Sequence, residues 1–115
     1  MCDKNLRLTL LFDIYGELLA PTQKTMFDLY YNDDLSLAEV AENTGITRQG
    51  ARDSIKRAEE TLLSLEETLG LADKFIRIEK ASEEAGEIVR RLKEKYPADT
   101  CDFDRIIKLL ESVKP

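Results

Sequence analysis

Histidine and tryptophan are absent from the 115 residues, and cysteine, proline and glycine are scarce, at two, three and five copies. Without histidine, neither the usual zinc-ligand spacings nor a histidine general base can be built. Cys2 and Cys101 lie far apart and form no C-x-x-C pair, so no disulfide framework organises the chain, as expected for a reducing compartment. No apolar run approaches the roughly 20 residues that span a bilayer. No apolar segment of signal-peptide type precedes the first acidic residues. A soluble, cytoplasmic protein is the expectation. There is also no glycine-rich phosphate loop and no nucleophile in a recognisable motif. Cys101, beside Asp102, has no cationic neighbour in sequence to activate it. The carboxylates are plentiful but read as solvated helix faces. The chain is therefore expected to be no enzyme and to need no metal or cofactor.

What is present is helix-forming sequence. Hydrophobic residues make up 43% of the chain and charged residues 35%, dominated by Ala, Leu, Glu, Lys and Arg, which points to an all-α fold. Leu8, Leu11, Phe12, Tyr15 and Leu19 recur at spacings of three and four, predicting a first helix over residues 5–19. Ala20-Pro21-Thr22 ends it, with Thr22 as the expected cap of a second helix carrying Met26, Phe27, Leu29 and Tyr30.

The most informative stretch is residues 36–57. Ser36, with Glu39 three residues on and Leu35 before it, is a capping box with a hydrophobic staple. Leu37, Val40 and Ala41 are expected to face inward. Gly45 stands where the corner needs a left-handed backbone, Ile46 is expected to plug that corner, and Thr47 to cap the next helix. The pattern is a helix-turn-helix, whose second helix can enter the major groove of DNA.

Charge distribution sharpens this reading. The net charge is −6, which by itself disfavours a general nucleic-acid binder. Residues 1–46 carry 3 basic and 8 acidic side chains, residues 47–57 carry 4 and 1, and residues 58–72 carry none and 4. Among these segments the basic island coincides with the second helix. Arg48 and Gln49 suit guanine and adenine edges; Arg52, Lys56 and Arg57 suit phosphates. With Thr47 these form the candidate nucleic-acid-binding set. The plain alternative is a solvated face in which Lys56 pairs with Glu60 at i,i+4.

Beyond the corner, Ala51, Ile55, Ala58, Leu62, Leu65 and Leu69 follow at spacings of 4, 3, 4, 3 and 4, predicting one long helix that Gly70 ends. Leu71, Phe75, Ile78, Ser82, Ala85, Val89, Leu92 and Tyr96 continue the pattern in a second long helix. Pro97 ends that one, and Thr100 or Asp102 is the expected cap of a last helix bearing Phe103, Ile106, Ile107, Leu110 and Val113. About six helices result. Residues 1–70 read as the helix-turn-helix domain and residues 71–115 as a helical extension packing on the long recognition helix, as an αα-hairpin or as part of one continuous domain. The seams serve as internal core in the favoured reading. In the other they form a homodimer interface through Leu62, Leu65, Leu69, Phe75 and Leu92.

The segments at residues 10–19 (LLFDIYGELL), 30–41 (YYNDDLSLAEVA), 47–50 (TRQG) and 55–59 (IKRAE) resemble the YlxM-like family of small bacterial helix-turn-helix proteins, over about residues 5–71. The central part also resembles region 4 of bacterial sigma factors. The resemblance implies a sigma-region-4-type helix-turn-helix with Arg48, Gln49, Arg52 and Lys56 on its nucleic-acid face. It further implies a regulatory accessory role in the signal recognition particle pathway, since such proteins are encoded beside components of that pathway. DNA or RNA, and the particle's protein, RNA or receptor, are the expected partners. The alternative is a protein-interaction module that keeps this fold but docks those components through its acidic surface (Glu59, Glu60, Glu66 and Glu67) and its leucine seams, without touching nucleic acid.

Overall fold

The computed structural model describes residues 6–114, so the expectations that involve Cys2 and residue 5 lie outside the described residues. Among the described residues there are six α-helices and no strand: α1 (Leu6–Tyr15), α2 (Pro21–Phe27), α3 (Leu37–Thr44), α4 (Arg48–Leu69), α5 (Leu71–Lys95) and α6 (Thr100–Ser112). Two 3-10 turns, Gly16–Leu18 and Pro97–Asp99, and a π-helical turn, Asp28–Asn32, join them. The chain divides into two compact units, one ending at Ala72 and one beginning at Asp73.

In the first unit, α1 stops at Tyr15 rather than running to Leu19. The chain tightens into a 3-10 turn at Gly16, then turns extended at Leu19 and Ala20 ahead of Pro21. Pro21 itself opens α2, because the first helical position has no use for an N–H. The expected cap, Thr22, already lies inside the helix; Ala20 occupies the cap position and makes no side-chain bond. After Phe27 the helix widens into the π turn, in which the Asp33 amide reaches back to the Asp28 carbonyl at 3.1 Å. Asp34 then adopts a left-handed backbone (φ 58°), a conformation Asp tolerates better than most residues.

Two clusters fill this unit, and α4 serves both. Leu8, Leu11, Tyr15, Leu19 and Phe27 pack with Ala58, Leu62 and Ala72, while Met26 and Val40 pack with Ala51 and Ile55. Phe12, Phe27 and Tyr31 stack in series, with ring centroids 4.6 and 4.2 Å apart. Each fully buried Leu, Met or Phe side chain contributes roughly 1.5–3 kcal/mol.

The heptad seam of α4 shifts before its end. Ala51, Ile55, Ala58 and Leu62 are buried as expected, but the next buried residue is Glu66; Leu65 is half-buried and Leu69 is 51% exposed. A straight helix repeats every 3.6 residues, so a 3.5-residue pattern drifts off the buried line within a few turns. Glu66 is a correction to the solvated acidic face. Its Oε1 accepts a hydrogen bond from the Tyr15 hydroxyl at 2.7 Å and from the Ala72 amide at 3.0 Å. The Tyr15 oxygen in turn accepts from the Leu71 amide at 3.1 Å, and the Arg7 guanidinium lies 4.0 Å from Oε2. Two orphan amides at the start of α5 are thus satisfied from within the core. Gly70, at φ 63°, makes the turn that brings them there.

The second unit is a hairpin of the rest of α5 and α6. Ser82, the polar member of the seam, is buried and donates to the Leu110 carbonyl at 2.7 Å; Lys93 pairs with Asp104 at 2.6 Å. Val89 is buried, and Phe103, Ile107 and Leu110 are half-buried. Neither expected cap of the last helix forms. Asp99 holds the cap position without a side-chain bond, and the Thr100 hydroxyl donates back to the Pro97 carbonyl at 2.6 Å. No described helix is long and apolar enough to cross a membrane.

Candidate nucleic-acid interface

The caps and the glycine turn of the corner form as the sequence prescribes. Ser36 Oγ accepts from the Glu39 amide at 3.1 Å, and Glu39 Oε1 accepts from the Ser36 amide at 2.9 Å, closing the capping box. Leu35 packs against the cluster that holds Val40, completing the staple. α3 ends on Gly45 at φ 72°, and Thr47 Oγ1 caps α4 by accepting from the Gly50 amide at 3.0 Å. Ile46 does not plug the corner: it is 36% exposed and lies over the first turn of α4. A Cβ on Gly50 would come within 2.8 Å of its Cγ2. Ala51, fully buried, allows the close approach of α3 and α4 that a larger side chain would block.

Thr47, Arg48, Gln49, Arg52, Lys56 and Arg57 are all exposed. They do not form one surface. Arg48, Arg52 and Lys56 follow at four-residue steps and make a row about 12 Å long. Among the described residues none of these three cations is held in an ion pair, and the Lys56–Glu60 pair of the plain alternative does not form. Arg52 and Lys56 border a groove of about 390 Å³ whose other walls are Tyr30, Leu37, Ile55 and Glu59. Arg57 faces elsewhere, towards Gln23, Glu60 and Ser64. Gln49 donates to Asp53 at 3.0 Å and must release that contact to read a base. Thr47 is committed to its cap.

The groove holds a residue that sequence reasoning assigned elsewhere. Glu59 is half-buried and accepts a short hydrogen bond from the Tyr31 hydroxyl. Burial first, then that bond and the neighbouring carboxylate charge, pushes the Tyr31 phenol well above its ordinary range. Four-residue periodicity from Ile55 is the signal that places Glu59 beside the core. Of the five residues of the candidate dimer interface, Leu62 is fully enclosed by its own unit and unavailable to a partner; Leu65 and Phe75 are half-buried, and Leu69 and Leu92 are exposed. Among the described residues no group of three or more acidic or cysteine side chains is placed to hold a metal ion, and Cys101 is a free, exposed thiol.

Residues 2–105 match the model of a family described as "Putative helix-turn-helix protein, YlxM / p13 like". The UPF0122 protein of Halalkalibacterium halodurans is 41% identical over 113 residues, which covers 98% of this chain and 96% of the relative. That of Clostridium botulinum (strain Alaska E43 / Type E3) is 38% identical over 111 residues, covering 96% and 99%. The similarity to the UPF0122 protein of Desulforamulus reducens reaches 51% but over 69 residues, 60% of this chain and 59% of that protein.

Proposed function

The chain belongs to the UPF0122 family of YlxM/p13-like helix-turn-helix proteins, and on that basis we propose that it binds nucleic acid through the N-terminal half of α4. The observation that carries this reading is the row Arg48, Arg52 and Lys56. Three exposed cations, none of them ion-paired among the described residues, begin one residue after a capped helix-turn-helix corner, on a chain whose net charge is −6. A row of cations free to meet phosphates gains from the release of the counterions there, a gain that the surrounding carboxylates reduce. Arg48 lies nearest the helix start, where recognition helices meet base edges, and Arg52 and Lys56 suit the flanking backbone. The likeness of the corner to sigma region 4 supports a duplex ligand. A regulatory role in the signal recognition particle pathway rests on the family resemblance and makes that particle's RNA the second probe.

Fluorescence anisotropy with mixed-sequence duplex DNA and with the small RNA of the particle tests this. Arg48→Ala with Arg52→Ala is expected to abolish binding while helicity and melting temperature stay near wild type, because exposed substitutions of this kind move stability by about 0.5 kcal/mol or less. Unchanged affinity in the double variant would refute the assignment. The competing reading, docking of a protein through the acidic surface, has less support. Of its four acids, Glu66 is buried and Glu59 is engaged by Tyr31, which leaves Glu60 and Glu67.

A further inference from the structure

The groove beside the cationic row is built from three pieces of chain. The π turn after α2 supplies Tyr30, the first turn of α3 supplies Leu37, and α4 supplies Arg52, Ile55, Lys56 and Glu59. At about 100° and 1.5 Å per residue, Ile55 lies nearest the core line of α4, Arg52 and Lys56 form the outer rim, and Glu59 closes the far end between those two lines. Tyr30 and Leu37 are half-buried on the opposite wall. The Tyr30 ring meets Tyr31 edge to face, with centroids 5.2 Å apart and planes at 85°. It therefore stands across the Phe12–Phe27–Tyr31 stack instead of extending it. Glu59 Oε2 accepts from the Tyr31 hydroxyl, which uses one of about four lone-pair sites on the carboxylate.

We infer that this groove takes one unpaired guanine of an RNA strand, beside the paired segment that the cationic row meets. The inference rests on the nucleic-acid reading above and narrows its ligand. A nucleotide has a flat apolar body, a hydrogen-bonding edge and an anionic backbone, and the groove holds a counterpart to each. The Tyr30 ring, with Leu37 and Ile55, suits the faces of a base. Arg52 and Lys56, one turn or about 6 Å apart, suit the phosphates on either side of it. Glu59 offers acceptors only, and the Watson–Crick edge of guanine offers two adjacent donors, N1–H and N2–H. Adenine and cytosine set an acceptor beside their amine, and uracil sets its N–H between two carbonyl oxygens, so the carboxylate repels part of each. A fully paired duplex cannot fill the groove, because its base faces are stacked and its pairing edges are occupied. An acidic peptide would bring a carboxylate against Glu59. Unpaired bases of this kind are displayed by the loops and bulges of RNA.

Fluorescence anisotropy of the full chain tests this with an RNA hairpin stem, either fully paired or carrying one unpaired guanine, adenine, cytosine or uracil. The wild type is expected to bind the guanine-bulged stem roughly tenfold or more tighter than the paired stem, and tighter than the other three bulged stems. Tyr30→Leu keeps apolar bulk without the ring and is expected to bind bulged and paired stems alike, whereas Tyr30→Phe keeps the difference. Glu59→Gln retains an acceptor for Tyr31 and is expected to lose the preference for guanine. Equal affinity of wild type for bulged and paired stems, both lost in Arg48→Ala with Arg52→Ala, would overturn the base site and leave the cationic row standing. So would binding of duplex DNA with no binding of any RNA stem. Binding of neither, or binding indifferent to the two arginines, would remove the row as well. A guanine preference that survives Glu59→Gln would overturn the choice of base, and a bulge preference lost in Tyr30→Phe would overturn the stacking.

Discussion

A carboxylate at position 66 accepts a phenol and a backbone amide while only 6% exposed, and it joins α1, α4 and the first turn of α5 in one polar knot. Its removal leaves the Tyr15 hydroxyl and the Ala72 amide without that acceptor. Each buried group so orphaned costs about 1–3 kcal/mol. Glu66→Ala is therefore expected to lose roughly 2–4 kcal/mol in urea unfolding, and Glu66→Gln, which keeps an acceptor oxygen, clearly less. Equal stability of Glu66→Ala and wild type would show the knot to be incidental. Tyr31 gives a second test. Its phenol is held protonated by burial and by Glu59, so its pKa in the folded chain lies above the ordinary value near 10. A group with a raised pKa contributes stability that is complete below the unfolded value and is lost progressively as pH rises from there through the folded value. Between pH 9 and about 11 the melting temperature of wild type should fall more steeply than that of Tyr31→Phe, which has no proton to lose. Parallel curves would remove Tyr31 from the account.

At the scale of elements, the corner between α3 and α4 is set by two local devices. Gly45 holds a left-handed backbone at φ 72°, so Gly45→Ala should cost about 1–2 kcal/mol although no atom lies near the added methyl. Thr47→Ala removes the acceptor of the Gly50 amide and should cost about 1 kcal/mol. Chemical denaturation checks both, and a neutral Gly45→Ala would mean the corner bends elsewhere. These features were legible in the sequence because capping and left-handed turns are decided within four or five residues. The six helices and the span of α4 were legible for a similar reason, since Gly70 stops a pattern that nothing interrupts earlier. What stayed hidden depends on distant partners. Glu66 reads as one more surface acid until Tyr15, 51 residues away, is placed beside it. Ile46 reads as a plug until Gly50 offers it a seat on the helix. Among the candidate binding residues, the row Arg48, Arg52 and Lys56 follows from four-residue spacing, whereas the separation of Arg57 depends on which neighbours flank α4.

For the whole molecule, charge is the governing quantity. A row of three cations set between acidic segments can displace only a few counterions from a duplex. The logarithm of the binding constant should then fall with the logarithm of salt concentration at a slope of roughly −2 to −3, and each cation removed should reduce that slope by about 1. A much steeper slope would demand cations outside the row. The most direct measurement is amide chemical-shift mapping by NMR on the full chain, titrated with duplex DNA or the particle's RNA at low salt. The expected shifts are confined to residues 47–56 and to the walls of the adjoining groove at Tyr30 and Leu37, with the second unit unmoved. Shifts centred on α5 and α6, or none under conditions in which either nucleic acid binds, would contradict the placement of the interface on α4.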